Sequence, residues 1–377
     1  MKRTITLLLA IVFCFLTPVH CYANEKNEDV KAKSVVLMCM DTGDVLYKEN
    51  EFEHLSPASV TKIMSLLLIC EAIDNGKIAL SDKVSASANA VAMGGSQIWL
   101  EVGETMTVEE LLKAVIVASA NDACTALSEY VAGSTTSFVK MMNEKVSELG
   151  LTNSNFENCT GLDDDVKNHY SCAYDLAVIS KELMKHKIIT KYTTIWLDSL
   201  RDGKTELNNT NKLVNTYEGI TGLKTGTTSN AGFCVSATAQ RDNMNLVAVV
   251  LGSDTSEDRF NTAAYLLDSG FANYEIFNVK IDKSKITQIK VKMGEDKTIT
   301  PAISKSSKIV IEKGNNDFKY KYHIEKEVAA PIKKGDKLGY ISILNGNNEL
   351  KRINLVANKT INKVSLKGIW HDILINI

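Results

Sequence analysis

Apolar residues recur at intervals of three and four in several stretches between residues 59 and 271, which is the spacing of one helix face. The strongest stretch begins just after Ser59, and Gly76 can end the helix that it predicts. The same spacing predicts further helices over residues 107–117, 122–131, 134–149, 173–185 and 259–271. The helix at Thr107 has the additional signal of a capping box, because Glu110 follows the threonine by three residues.

Apolar and β-branched runs predict strands on both sides of this helical region. Residues 34–38 and 45–47 flank an Asp-Thr-Gly turn and predict a hairpin, and residues 231–239 and 245–251 predict a second pair of strands. The segment 200–217 is polar and rich in turn residues. Strands, a block of helices, then strands and a closing helix indicate an α/β unit whose antiparallel sheet uses both ends of the segment.

The pattern changes after residue 277, where short alternating runs are separated by Gly314, Gly335 and Gly346. This spacing predicts a small all-β domain over residues 278–358. In residues 359–377 the apolar positions return to helical spacing with lysines beside them, which is typical of an amphipathic helix that associates with a membrane surface. A terminal helix docked on its own domain is the alternative interpretation.

The N-terminus predicts export. Lys2 and Arg3 precede an apolar run, and Cys21-Tyr22-Ala23 offers small residues for cleavage, so residues 1–23 resemble a secretory signal peptide and residues 24–277 form the first mature domain. A retained membrane anchor is the alternative, although the apolar run is short for a span. Export places the chain on the outer face of the cytoplasmic membrane or in the cell wall. It also permits disulfides, but Cys70 and Cys124 stand on apolar helix faces, which favours free, buried thiols.

Charge is distributed unevenly. Residues 277–377 hold 20 Lys and Arg against ten Asp and Glu, whereas the whole chain has a formal net charge of −2. A basic C-terminal part fits an anionic surface, and a solvated lysine-rich face is the alternative. The chain has no base-stacking or groove-reading motif, so nucleic acid is not an expected partner. The six histidines show no metal-ligand grouping, so no metal or other cofactor is expected.

Three short motifs indicate the chemistry. Ser59 and Lys62 are three residues apart at a helix start, so the amine can reach the hydroxyl and act as its base. Ser119-Ala120-Asn121 stands between two predicted helices, and Lys224-Thr225-Gly226 lies in a strand before a turn. The pair Ser137 and Lys140 repeats the first spacing, but it lies in a predicted surface helix without an adjoining motif. Only the three motifs together point to a serine acyl-transfer site.

With these motifs the chain resembles the low-molecular-mass penicillin-binding proteins, which are serine-type D-alanyl-D-alanine carboxypeptidases. The resemblance covers nearly the whole chain. It includes residues 42–47, 57–59, 119–124, 160–163 and 222–226. It implies a domain of the penicillin-binding-protein and β-lactamase type, with an antiparallel sheet and a helical block, followed by the β-rich domain. It also implies peptidoglycan stem peptides as substrates and β-lactam antibiotics as covalent inhibitors.

The resemblance implies a role for each motif residue. Ser59 attacks the carbonyl between two terminal D-alanines, Lys62 is its base, and Ser119 passes the proton to the leaving amine. Asn121 orients Lys62 and the substrate amide, while Lys224 lowers the pKa of Lys62 and attracts the substrate carboxylate. The remaining substrate-binding positions are Thr225, Gly226, Thr227 and Arg259, with the backbone N–H groups of Ser59 and Thr227 as the oxyanion hole.

Several interpretations remain open at this stage. Arg259 has the alternative of a surface arginine, and Thr210 stands where some family members have an arginine. His169, in a polar loop, is expected to be solvated rather than catalytic. The rival functions are a β-lactamase, a D,D-endopeptidase on the same machinery, and a non-catalytic wall-binding protein. A β-lactamase needs a group that activates the deacylating water, and Glu206-Leu207-Asn208 only faintly resembles its motif.

Overall fold

The computed structural model describes residues 28–164, 166–304, 308–315 and 317–365. The predicted signal peptide, 1–23, lies outside the described residues, as does most of the predicted amphipathic helix, 359–377. Within the described ranges, no helix is both long and apolar enough to cross a membrane.

The helices cluster in the first domain. They are α1 (Lys62–Asp74), α2 (Ala88–Val91), α3 (Val108–Val117), α4 (Asn121–Ala132), α5 (Thr135–Glu148), α6 (Ala173–Leu183), α7 (Leu213–Thr216) and α8 (Ser256–Asn273). A short 3₁₀ turn, Ala58–Thr61, leads directly into α1. The capping box of Thr107 and Glu110 is formed at the start of α3, as the sequence predicts.

Strands occur throughout the described chain. The first domain contains β1 (Ser34–Cys39), β2 (Val45–Glu49), β3 (Lys83–Ser85), β4 (Thr105–Thr107), β5 (Leu197–Leu200), β6 (Thr205–Asn208), β7 (Ile220–Thr228), β8 (Gly232–Arg241) and β9 (Met244–Ser253). After α8 follow β10 (Tyr274–Asn278), β11 (Ile289–Lys292), β12 (Thr298–Ile299), β13 (Ala302–Ile303), β14 (Lys308–Glu312), β15 (Phe318–Ile324), β16 (Glu327–Ala329), β17 (Lys337–Asn345) and β18 (Asn348–Val356).

The central sheet is antiparallel and has the order β2-β1-β9-β8-β7. The sequence of strand β9 is almost continuously apolar because both of its faces are covered. Val247, Val249 and Leu251 join the core beneath the helical block. Leu246, Ala248 and Val250 join a second core, under α8. The sheet is therefore the middle of three layers, which confirms the predicted α/β domain, and β7 forms one edge of it.

The part after α8 is rich in β-structure, which confirms the predicted fold of the C-terminal domain. Its main sheet has the order β13-β18-β17-β15. The short strands β12, β13 and β16 were not predicted, because two or three residues are too few to show an alternation. The hairpin β5–β6 was not predicted either; β5 ends where the polar segment 200–217 begins, and β6 lies inside that segment. Strand β10, which ends at the predicted domain boundary, pairs with β14.

Candidate active site

Ser59 lies in the 3₁₀ turn that begins α1, and Lys62 is the first residue of that helix. The Lys62 Nζ donates hydrogen bonds to Ser59 Oγ at 2.8 Å and to the Thr160 carbonyl oxygen at 2.9 Å. Ala58, directly before the serine, has a φ of +47°, in the left-handed region that non-glycine residues rarely adopt. The chain thus makes a tight entry into α1 that presents the serine hydroxyl to the lysine amine.

The Lys62 side chain is completely buried. Burial disfavours the ammonium form and lowers its pKa to about 8, while the nearby thiols of Cys124 and Cys159 act in the opposite direction. The sequence-based expectation named both the charge of Lys224 and burial as causes of a lowered Lys62 pKa, and burial is the dominant one. A lysine with this pKa is partly neutral near pH 7 and can accept a proton from Ser59.

Ser119 and Asn121 form the second side of the site, at the junction of α3 and α4. Ser119 is almost fully buried and has a φ of +63°, so the chain turns sharply at this serine. The Asn121 Nδ2 donates to the Gly94 carbonyl oxygen at 2.7 Å. Its Oδ1 is buried without a hydrogen-bond partner. The expected contact of Asn121 with Lys62 is therefore replaced by one with Gly94, and a free acceptor remains.

Asp122 supports this side, although sequence reasoning did not select it. Its fully buried carboxylate accepts hydrogen bonds from the backbone N–H groups of Ile98 and Leu100. These bonds fix the loop that contains Gly94 to the start of α4. An aspartate directly after the Ser-Ala-Asn motif, in the first turn of a helix, was the signal that could have identified it.

Strand β7 forms the third side and holds Lys224 and the two residues that follow it. Lys224 is buried, and its Nζ donates to the Thr225 carbonyl oxygen at 2.9 Å. Burial and, after it, the charge of Lys62 hold the pKa of Lys224 well below its usual range. Thr225 Oγ1 donates to Thr210 Oγ1 at 2.7 Å, so Thr210 also lies beside this strand.

Gly226 allows β7 to approach the 3₁₀ turn Ala58–Thr61, which we call the nucleophile turn after the role that the sequence predicts for Ser59. A Cβ atom at this position would lie 2.7 Å from the Pro57 carbonyl oxygen and 2.9 Å from the backbone nitrogen of Ser59. Such distances are too short for a side chain, so only glycine fits between the two segments. Thr227, the next residue, is exposed, and its hydroxyl donates to the Gly226 carbonyl oxygen at 2.7 Å.

Arg259 is a buried residue of α8, which contradicts the surface interpretation. Its Nη1 donates to the Gly226 carbonyl oxygen at 3.0 Å and to Thr227 Oγ1 at 2.9 Å. A third bond reaches the Cys234 carbonyl oxygen at 3.2 Å. Burial lowers the pKa of Arg259 to about 10. The guanidinium thus lies behind β7 and holds the end of the Lys-Thr-Gly segment.

His169 is buried, so the expectation of a solvated histidine is wrong. Its Nδ1 accepts a hydrogen bond from the Glu157 N–H at 3.1 Å, which leaves the proton on Nε2 to donate to Thr61 Oγ1 at 2.8 Å. Burial lowers its pKa to about 4, so the ring is neutral at pH 7. His169 therefore holds Thr61, the last residue of the 3₁₀ turn that contains Ser59. Thr61 is 108 residues away from His169 along the chain. The sequence around His169 therefore carries no local signal that the ring is buried.

The second Ser–Lys pair has none of this environment. Ser137 receives its contacts from the cap residue Ser134, and Lys140 extends from α5 with 78% of its side chain exposed. The cysteines of the described chain are free and buried, as predicted. No group of three histidine, cysteine, aspartate or glutamate residues within that part could hold a metal ion.

The three sides together are suited to acyl transfer. A serine hydroxyl contacts an amine that can be neutral, and a buried amide oxygen has no hydrogen-bond partner. Two further basic side chains, Lys224 and Arg259, lie on or behind the facing strand. Such a site can form an ester on Ser59, stabilise negative charge on the attacked carbonyl, and bind an anionic group of the substrate.

Comparisons with known proteins agree with this chemistry. Residues 22–255 match the D-alanyl-D-alanine carboxypeptidase family of peptidases, and residues 274–363 match the C-terminal domain of penicillin-binding protein 5. The chain is 44% identical over 350 residues to the D-alanyl-D-alanine carboxypeptidase DacF of Bacillus subtilis, covering 90% of this chain and 89% of the relative. It is 35% identical over 348 residues to DacC of Escherichia coli, covering 89% and 86% of the two chains.

Solved structures are similar as well. Penicillin-binding protein 5 from Haemophilus influenzae superposes with a TM-score of 0.80 at 30% identity, covering 89% of this chain and 98% of its own. Penicillin-binding protein D2 from Listeria monocytogenes, solved in an ampicillin-bound form, has a TM-score of 0.58 at 30% identity and covers 64% of this chain and 97% of its own.

Proposed function

The chain belongs to the D-alanyl-D-alanine carboxypeptidase family and is a serine-type carboxypeptidase, and on this premise we propose that Ser59 forms the acyl-enzyme. The observation that carries the proposal is the 2.8 Å hydrogen bond between Lys62 Nζ and Ser59 Oγ. It is supported by the pKa of about 8 that burial gives to Lys62. A serine hydroxyl next to a base of this strength is an activated nucleophile.

In the first step the neutral Lys62 amine takes the proton of Ser59, and the Oγ attacks the carbonyl carbon between the two terminal D-alanines. The negative charge that develops on the carbonyl oxygen is held by the backbone N–H groups of Ser59 and Thr227. Each such donor contributes about 3–4 kcal/mol in hydrolases with an oxyanion hole. When the tetrahedral species collapses, the bond to the terminal D-alanine breaks, and its amine receives a proton by way of Ser119.

Substrate binding uses the remaining groups. The unpartnered Asn121 Oδ1 accepts the N–H of a substrate amide, which satisfies an otherwise costly buried acceptor. Lys224 and the Thr225 hydroxyl bind the terminal carboxylate. Arg259 adds positive charge to this carboxylate position, and its bonds to Gly226 and Thr227 hold the segment in place. Lys62 then activates a water molecule, which hydrolyses the ester on Ser59 and releases the shortened stem peptide.

The substrates of this proposal are peptidoglycan stem pentapeptides, and β-lactam antibiotics are covalent inhibitors that acylate Ser59. The ampicillin-bound structure of the similar Listeria protein supports the second part. No observation favours a β-lactamase: Glu206 belongs to the hairpin β5–β6 and pairs there with Ser199. A D,D-endopeptidase would use the same side chains, and cross-linked muropeptides separate the two activities.

We also propose that the protein is exported and works outside the cytoplasmic membrane, where peptidoglycan is found. The proposal rests on the signal-like residues 1–23 and on the location of the proposed substrate. Residues 359–365 are not helical, because Ile361 and Lys363 pair with Ile332 and Gly294 of the β domain; the amphipathic helix that would bind the anionic membrane surface is therefore confined to residues 366–377. Flotation of the full mature chain with anionic and neutral vesicles tests this part, and equal binding to both would contradict it.

Ser59→Ala tests the nucleophile. The wild-type protein is expected to release D-alanine from a pentapeptide and to gain the mass of one penicillin at Ser59, whereas Ser59→Ala loses both reactions. Ser137→Ala is the matched control, because Ser137 has the same spacing to a lysine on a surface helix, and it should behave as wild type. Penicillin adducts on Ser59→Ala would disprove the assignment.

A further inference from the structure

One carboxylate links the two segments that face each other across Ser59. Asp163 Oδ2 accepts a hydrogen bond from Thr228 Oγ1 at 2.6 Å and another from Ser56 Oγ at 3.4 Å. Ser56 precedes the nucleophile by three residues, and Thr228 directly follows Thr227. The aspartate is therefore bonded to the residue after one proposed oxyanion-hole donor, Thr227, and to a residue three positions before the other, Ser59, although it lies more than 60 residues from one segment and 100 from the other.

The loop that contains Asp163 contacts the nucleophile turn at two more points. The Thr160 carbonyl oxygen accepts from Lys62, as described above. Gly161 packs so closely that a Cβ atom there would lie 1.8 Å from the Ala58 carbonyl oxygen. Residues 160–163, which we call the clasp loop, therefore determine where the turn with Ser59 lies, and through Asp163 they also reach the end of β7.

The directions of the Thr228 hydrogen bonds require an acceptor at the position of Asp163. Thr228 Oγ1 accepts the Ala231 N–H at 3.0 Å, so its own hydrogen is free to point at Asp163. An ionised carboxylate has no donor and can accept from both hydroxyls at once. Hydrogen bonds to a charged acceptor are roughly twice as strong as neutral ones, so the carboxylate holds both segments more firmly than an amide could.

We propose that Asp163 is a positioning residue that sets the spacing between the backbone N–H groups of Ser59 and Thr227. It touches no reacting atom and acts through Ser56 and Thr228. The inference rests on the proposed function, in which these two N–H groups stabilise the oxyanion. Such donors are effective only within hydrogen-bond distance of the place that the oxyanion occupies, so a small widening of the gap lowers the rate of the chemical step.

The test compares Asp163→Ala, Asp163→Asn and the control Asp164→Asn, which makes the same chemical change at the exposed next residue. For each variant, kcat and KM for D-alanine release are measured together with the affinity for an alkylboronic acid, which forms a tetrahedral adduct on serine. We expect Asp163→Ala to lower kcat on the order of tenfold to hundredfold, less than the full loss of one donor. KM should stay within about twofold, since the substrate-binding groups are untouched.

Asp163→Asn should fall between Asp163→Ala and wild type, and Asp164→Asn should match wild type. The boronic acid affinity should decline by the same factor as kcat, because its hydroxyl occupies the oxyanion position. If Asp163 only stabilised the fold, its replacement would lower the unfolding midpoint, but kcat and the boronic acid affinity would not decline by the same factor. Ser56→Ala added to Asp163→Ala should lower kcat no further, since both changes remove the hydrogen bond between Ser56 and Asp163.

Wild-type kcat and boronic acid affinity in Asp163→Ala would overturn the proposal. If that variant does not fold, wild-type values in both Asp163→Asn and Thr228→Val overturn it instead. A change in KM alone also contradicts it. The nucleophile is tested separately: a penicillin adduct that persists in Ser59→Ala refutes the proposed function, whereas loss of that adduct with an unaffected Asp163→Ala refutes only the positioning role.

Discussion

Lys62 and Lys224 are both completely buried, and each has few partners for its ammonium group. Burial disfavours the charged form of each amine and lowers both pKa values. The charge of Lys62 lowers the pKa of Lys224 further, because two cations in a buried site repel each other. The acceptors of Lys62 aim its nitrogen at Ser59. Burial and these acceptors thus turn an ordinary lysine into a base without the help of a histidine.

The pKa of Lys62 predicts the pH dependence of acylation. Only the neutral amine can take the serine proton, so the rate constant for acylation by penicillin should rise with pH and level off above about 8. Stopped-flow acylation between about pH 5.5 and 9.5 measures this profile. Lys62→Arg should be inactive throughout, because a guanidinium stays charged.

Lys140→Arg is the matched control for this experiment, since it makes the same change at the exposed lysine of the second Ser–Lys pair. It should keep the wild-type rate and profile. A wild-type rate that is constant across the whole pH range would show that another group acts as the base.

Among the secondary-structure elements, three segments form the site: the entry into α1, the junction before α4, and the edge strand β7. At the entry into α1, glycines allow the backbone of β7 and of the loop 160–163 to pack directly on the turn that contains Ser59. Gly161 lies against Ala58, and Gly226 lies against Ser59. Side chains on either glycine would separate the segments whose N–H groups and hydroxyls must converge.

Gly161→Ala is expected to disrupt the nucleophile turn. Gly203→Ala is its matched control, because Gly203 has a similar φ, +87° against +83°, but a Cβ atom added there would have no other atom within 4 Å. In both variants the alanine must adopt a positive φ, which lowers the free energy of unfolding by about 1 kcal/mol or somewhat more. In Gly161→Ala, overpacking against Ala58 should lower the free energy of unfolding by a further 1–3 kcal/mol or so.

Urea unfolding measures these differences, and penicillin acylation reports on the turn. The acylation rate should fall sharply in Gly161→Ala and stay unchanged in Gly203→Ala. Equal stability of the two variants would mean that the contact with Ala58 relaxes without cost.

At the scale of the whole molecule, the two domains meet through β-structure and a few charges. Strand β10 follows α8 and pairs with β14, and Ile276 and Val310 pack on the core beneath α8. Lys308 and Lys351 approach Asp41 and Asp44 of the turn between β1 and β2 at 3.4 and 3.0 Å. Exposed pairs of this kind contribute about 0–1 kcal/mol, so the apolar contact and strand pairing dominate the junction.

The side-chain hydrogen bonds that hold Lys62, Asn121, Lys224 and Arg259 reach only first-domain partners within the described chain. A chain shortened to residues 28–273 should therefore acylate with penicillin within about twofold of the full chain. A chain that ends at residue 278 keeps β10 without its partner and should aggregate, because an exposed apolar edge strand pairs with other chains. Light scattering and acylation rates measure both outcomes; loss of acylation in the shorter chain would assign the β domain a role in the site.

Local spacing was sufficient for much of this protein. The capping box at Thr107 and the periodicity before and after it predicted the helices, since such signals involve residues one turn apart. Ser59 and Lys62 could be paired for the same reason. Alternation predicted the longer strands, and it could not reveal β12, β13 or β16, which are too short to alternate.

Tertiary structure decided what each group can do. Burial, which the chain around Lys62 cannot encode by itself, sets the pKa of that lysine. Long-range contacts bury His169 beneath Thr61, place Arg259 behind β7 and leave Asn121 Oδ1 free. The sequence alone therefore indicated the family, the main helices and longer strands, and the groups proposed to react. Only the folded chain determined their protonation, their partners and the bridge from Ser56 to Thr228, because these depend on residues brought together across the molecule.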